Sequence, residues 1–248
     1  MVRAVVLGLL IVSLSACGGA GFKIDKQEYR QRVRTLGVVP LLVDGNSHLE
    51  HPRAQEVVGL LRRSSAGQHQ NLVEFLKHKK GYFDVRPVAG DAPTLFGRLV
   101  QGRVKQDGDR GTYYHYSFNA RAVAELSQRH STDALLVVIL NGVERSEKRW
   151  NPSRLTYLEA PYNSILVTAA VIMPNGEIVW ESPGGEAFLE LQYPAFEEAY
   201  FNKADEVAVT FITLEGLERY FDEPGQKWFQ GTGWQNPIKN CSSVWRPS

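Results

Sequence analysis

Cysteine, excess charge and long apolar runs are all scarce in this chain. Its 248 residues hold two cysteines, Cys17 and Cys241. Lys and Arg number 28 against 27 Asp and Glu, a net charge of +1. A balance this even offers no electrostatic footprint for nucleic acid, which needs clustered positive charge. The one strongly apolar N-terminal run covers residues 4–14, too short for a transmembrane helix of about 20 residues. Catalytic signatures are missing too. There is no Gly-x-Ser-x-Gly nucleophile elbow, no Gly-x-Gly-x-x-Gly and no phosphate-binding loop after the first strand. Glu144, Arg145, Glu147, Lys148 and Arg149 mix signs in a short window, which reads as a solvated loop rather than a fixed acid–base pair. The sequence therefore predicts no enzyme and no cofactor. Its 43% hydrophobic content is enough to bury one proper core.

The amino terminus carries a positive signal. Arg3, the apolar run and the small residues Ser15-Ala16 before Cys17 are the three parts of an export signal. The tetrapeptide Leu14-Ser15-Ala16-Cys17 resembles the lipobox of bacterial lipoproteins. That resemblance implies cleavage before Cys17 and lipidation of Cys17 with acyl chains such as palmitate. A single chain holds a protein to a bilayer only marginally, whereas several hold it firmly. The alternative is a soluble exported protein with an incidental cysteine. Gly18, where an Asp would favour retention in the inner membrane of such lipoproteins, implies the outer membrane, periplasmic side. Loss of Arg3 with the signal leaves 27 basic against 27 acidic residues. A lipidated Cys17 also leaves Cys241 without an internal disulfide partner, and one free cysteine excludes a Cys-rich zinc site. Cys241 then either pairs with another chain or stays a sequestered thiol.

Along the chain, residues 1–16 read as signal peptide and 17–32 as a polar tether. Residues 33–223 read as one domain and 224–248 as a Trp-rich C-terminal extension. The run 35–43 is nearly all apolar and ends at Asp44-Gly45-Asn46, which predicts a strand buried on both faces. Residues 44–69 look loop-like at both ends, with a short helix over 54–63. Helical spacing recurs over 69–80, with lysines in the last turn and Gly81 as the stop. Residues 82–88 alternate as a strand, and 99–118 predict a hairpin turning at 107–111. Asn119 predicts a cap for a helix over 120–130, followed by a central strand over 133–140. Residues 164–173 predict a strand that returns antiparallel through Pro174-Asn175-Gly176-Glu177. A last amphipathic helix is expected over 203–220. Alternating strands and helices predict an α/β fold with a partly parallel sheet.

Four stretches carry a further resemblance. They are Leu36-Gly37-Val38-Val39-Pro40, Gly81-Tyr82-Phe83-Asp84-Val85, Thr132-Asp133-Ala134-Leu135-Leu136-Val137 and Asn175-Gly176-Glu177-Ile178-Val179-Trp180. In this order they resemble the periplasmic lipoprotein domains that share the TolB amino-terminal fold. That family includes the curli-secretion pore lipoprotein and the activators of penicillin-binding proteins. The resemblance implies a mixed sheet with helices packed on it, here followed by an irregular aromatic C-terminal tail. It also implies a role in binding or assembly rather than chemistry. Residues 91–118 and the tail exceed what the family core needs.

Candidate binding residues follow from the aromatics. Tyr113, Tyr114 and Tyr116 form one cluster, and Tyr193, Phe196, Tyr200 and Phe201 a second. Trp228, Trp234 and Trp245 lie in the tail. Such rings give large contact area at low conformational cost, although covering the core is the plainer use of each cluster. His48 and His51 in His48-Leu49-Glu50-His51-Pro52 lack an assigned third ligand, so no metal site is expected. The sequence thus predicts a lipid-anchored envelope lipoprotein that binds the membrane through its lipid and binds an envelope protein partner. A secretion pore built from the 99–118 hairpin and a peptidoglycan- or glycan-binding module are the alternatives.

Overall fold

The computed structural model describes residues 21–108, 111–150, 157–182, 184, 187–194 and 209–222. The signal segment, Cys17, Cys241 and the tail tryptophans Trp228, Trp234 and Trp245 lie outside them.

Residues 21–32 are not a free tether but part of the domain. Asp25 accepts from the backbone N–H groups of Gln27 and Glu28, and so starts helix α1 (Lys26–Arg32). Tyr29 on this helix is fully buried, and its hydroxyl lies 2.8 Å from that of Tyr82. One anchoring aromatic outweighs the polar composition around it.

The apolar run after it divides at Pro40 into β1 (Thr35–Val38) and β2 (Leu42–Asp44), because proline has no N–H for the ladder. Helices α2 (Ala54–Ala66) and α3 (Gln68–His78) follow, then β3 (Asp84–Pro87). The expected short helix at 54–63 is therefore longer. Helix α4 (Ala92–Leu99) was not anticipated. Its signal was present: Asp91 accepts from the Thr94 N–H at 3.1 Å, and Pro93 sits in the first turn. The hairpin is as expected, with β4 (Val100–Gly108) against β5 (Gly111–Phe118). Asn119 caps α5 (Ala120–His130) by accepting from the Arg121 and Ala122 N–H groups. We expect Asn119→Ala to cost about 1 kcal/mol, read as a lower urea midpoint at unchanged slope.

Beyond α5 the chain differs from the expected pattern in two places. The central strand does not stop at Leu140: β6 runs Ala134–Trp150 and pairs throughout with β7 (Tyr157–Ile172). The charged window at 144–149 is therefore strand, not loop. Its residues are polar on both faces, so no period-2 hydrophobic pattern betrays it. β8 (Ile178–Ser182), β9 (Leu189–Glu190) and β10 (Gln192–Pro194) follow; of the helix expected over 203–220, residues 203–208 lie outside the described residues, and the rest is not one helix. Residues Val209–Phe211 form strand β11 against β10, and helix α6 spans Leu214–Asp222. Thr213 fixes that start, since its Oγ1 accepts from the Gly216 N–H at 3.1 Å.

The sheet runs β3-β1-β6-β7-β8, with β2 also on β6 and β9 on β7. β1, β2 and β3 are parallel to their neighbours, and β7, β8 and β9 antiparallel. This is a mixed α/β sheet. Side chains alternate across β6. Ala134, Leu136, Val138 and Leu140 enter one core with Tyr29, α2, α3 and α6. Leu135, Val137 and Ile139 enter a second with α4, α5 and the buried tyrosines of β5. A strand buried on both faces must read as an unbroken apolar run, which is why residues 134–140 do.

Candidate protein-binding site

Beyond Asn141, β6 leaves the parallel strands behind and pairs only with β7 among the described residues. The two strands run on as a ribbon from Glu144↔Asn163 to Trp150↔Tyr157. At its far end Trp150 and Tyr157 face each other with ring centroids 5.0 Å apart. They are 53% and 50% exposed, so the aromatic pair is presented to solvent rather than buried. Lys148 sits 5.0 Å above the Tyr157 ring and 3.5 Å from Glu159. The result is an exposed aromatic pair edged by a cation, and aromatic rings of this kind are enriched at protein interfaces.

Of the expected tyrosines, Tyr114 and Tyr116 are buried core residues rather than exposed partner contacts. Tyr113 is half-buried, and its hydroxyl donates to Gln106 Oε1 at 3.0 Å. The reason lies in β2. Asp44 is buried there and accepts from the Tyr116 hydroxyl at 2.9 Å, the Asn46 N–H at 3.1 Å and the Arg103 guanidinium. Arg103 also donates to the Asn46 carbonyl and lies 5.1 Å over the Tyr114 ring. Burial, and then the neighbouring Asp44 charge, push the Tyr116 phenol far above its ordinary range, so it stays a proton donor to Asp44. His115 is drawn the same way to buried Glu181, Nδ1 to Oε1 2.7 Å, with Lys23 3.2 Å away on the other oxygen. Two buried carboxylates therefore fasten the β4–β5 hairpin across the sheet. That hairpin is a folded part of the domain.

A cavity of ≈ 470 Å³ opens where β1 ends and α4 begins, lined among others by Leu41, Val43, Arg62, Ala66, His69 and Asp91. It lies beyond the carboxyl end of β1, whose neighbours β3 and β6 are reached by crossovers in opposite directions. Crevices at such places commonly hold ligands. Here His69 is occupied as a strut, with Nε2 2.8 Å from the Val38 carbonyl oxygen, and Asp91 as the α4 cap.

No protein-family model matches the chain, and no curated protein does. Among solved structures it is similar to the lipoprotein GNA1162 from Neisseria meningitidis. Identity is 16%, with 60% of this chain and 78% of that chain covered and a TM-score of 0.24. At that score the likeness carries no inference about this chain.

Sequence reasoning missed Trp150 and Tyr157. The usable signal was Asn151-Pro152-Ser153 just after Trp150, a turn-forming composition between two segments that lack hydrophobic alternation.

Proposed function

We propose that this chain is a lipid-anchored envelope lipoprotein that works without catalysis, as a binding or assembly factor for another envelope protein. The single observation behind the partner role is the exposed Trp150–Tyr157 pair near the end of the β6–β7 ribbon. Both faces of that ribbon carry charge, with Glu144 and Lys148 on one and Arg145 and Glu147 on the other. A bilayer-crossing strand wants an apolar outer face, so this arm suits an aqueous partner better than lipid. The anchor reading rests on Leu14-Ser15-Ala16-Cys17, and Gly18 favours the outer membrane on its periplasmic side. Among the described residues no helix is long and apolar enough to cross a membrane.

The anchor is tested by Cys17→Ser. The variant is expected to leave the membrane pellet for the soluble periplasmic fraction while staying folded. A Cys17→Ser protein that still sediments with membranes and still carries labelled palmitate would refute lipidation at this residue. Deleting residues 224–248 from the lipidated protein is expected to leave partner recovery intact if the ribbon carries the contact.

A further inference from the structure

The segment between β2 and α2 carries a second feature, independent of any partner of the ribbon. His48 and Glu50 are both exposed, while Leu49 between them packs against the core. Side chains of alternating direction therefore place an imidazole and a carboxylate on the same outer surface. Glu144, at the foot of the ribbon, comes alongside them. His48 Nε2 lies 3.8 Å from Glu144 Oε2. One ligand atom from each of His48, Glu50 and Glu144 falls within 4.8 Å of the others.

This juxtaposition is held from outside the cluster. Asn163 on β7 is fully buried, and its amide spans the two ligand-bearing residues. Its Nδ2 donates to the His48 carbonyl at 2.9 Å, and its Oδ1 accepts from the Glu50 N–H at 2.9 Å. Ser47 Oγ accepts from the Gly142 N–H at 2.8 Å. A Cβ at Gly142 would come within 2.7 Å of the His48 carbonyl oxygen and of Leu49 Cα, so only glycine lets this segment lie so close to β6. Glu144 stands opposite Asn163 in the ladder, which fixes it by strand register.

We propose that His48, Glu50 and Glu144 bind one divalent transition-metal ion of the zinc class. Zinc bonds of 2.0–2.2 Å to nitrogen and oxygen put tetrahedral ligands about 3.3 Å apart. Rotation of three exposed side chains closes the remaining gap. An imidazole nitrogen selects Zn²⁺, Co²⁺ or Ni²⁺ over Mg²⁺ and Ca²⁺, which prefer oxygen alone. Two carboxylates neutralise the ion, and water completes the fourth position. His51 is not part of the site, because both its ring nitrogens are engaged. Nε2 lies 2.9 Å from the Ile212 carbonyl oxygen, and Nδ1 accepts from the Arg53 N–H at 2.9 Å. The metal would tie the segment before α2 to the foot of the ribbon.

Titration of the untagged mature chain with ZnCl₂ in a calorimeter tests this, with His48→Ala, Glu144→Gln and Cys241→Ser measured alongside. We expect one ion per chain, with affinity at least about tenfold weaker in His48→Ala and in Glu144→Gln and unchanged in Cys241→Ser. At one zinc concentration the melting temperature should rise less in Glu144→Gln than in the wild type, while MgCl₂ should raise neither. Equal binding by wild type and Glu144→Gln, loss of binding in Cys241→Ser, or no saturable binding at all would overturn the proposal. The ribbon's partner role survives any of these outcomes.

Discussion

Asp44→Ala is expected to destabilise the domain by about 3 kcal/mol, at the low end of the range for removing one partner of a buried ion pair. The carboxylate is buried and accepts from three groups at once. Truncation leaves the Tyr116 hydroxyl and part of the Arg103 guanidinium without an acceptor in a place water reaches poorly. Arg103 retains 28% side-chain exposure, so it recovers some hydration, and that keeps the loss from being larger. Asp44→Asn preserves volume and still accepts from Tyr116, but it no longer balances the Arg103 charge, so its effect should be intermediate. Tyr116→Phe removes one hydrogen bond and should cost about 1 kcal/mol. Urea unfolding of the four proteins should therefore rank wild type, Tyr116→Phe, Asp44→Asn, Asp44→Ala in falling midpoint. If Asp44→Ala unfolds within about 1 kcal/mol of wild type, these contacts do not hold the hairpin.

How legible such features were depended on whether they were written locally. The α5 helix was, because Asn119, Ala122, Val123 and Leu126 state cap and apolar face within a dozen residues. The turn before β8 was as well: Gly176 sits at φ +85 after Pro174-Asn175, a conformation glycine adopts without strain. Features that depend on pairing across the sheet were not. Residues 144–150 and 157–163 have no hydrophobic alternation of their own and become strands because each completes the other's ladder. Aromatic residues misled for a related reason. Tyr116 and Trp150 look alike in sequence, yet Asp44, 72 positions upstream, draws one inward, while the end of the ribbon leaves the other out. The His48–Glu50–Glu144 cluster needed a third residue nearly a hundred positions away, and only the register of β6 supplies it.

The second large effect is expected at the ribbon, on binding rather than on stability. Truncating an aromatic hot spot of an interface costs about 2 kcal/mol or more, roughly thirtyfold in affinity, and the exposed Trp150–Tyr157 pair is the hot spot this reading requires. Trp150→Ala with Tyr157→Ala should therefore reduce recovery of the partner from membranes by at least that factor. Folding should be little affected, because each ring is already half-exposed. Their mutual contact accounts for at most about 1.5 kcal/mol. A drop in recovery accompanied by global unfolding would be a stability effect and would not support the binding reading. Lys148→Ala should weaken binding less, because its charge lies at the edge of the pair.

Site-specific photocrosslinking in intact cells tests the central claim most directly. A photoreactive aromatic residue is placed in turn at Trp150, at Tyr157 and, as control, at Arg121 on α5, whose side chain is 89% exposed. The predicted result is one discrete adduct of the same mass from positions 150 and 157, absent from 121, in the membrane fraction. Adducts equal at all three positions, or none at 150 and 157 in a folded and anchored protein, would contradict it.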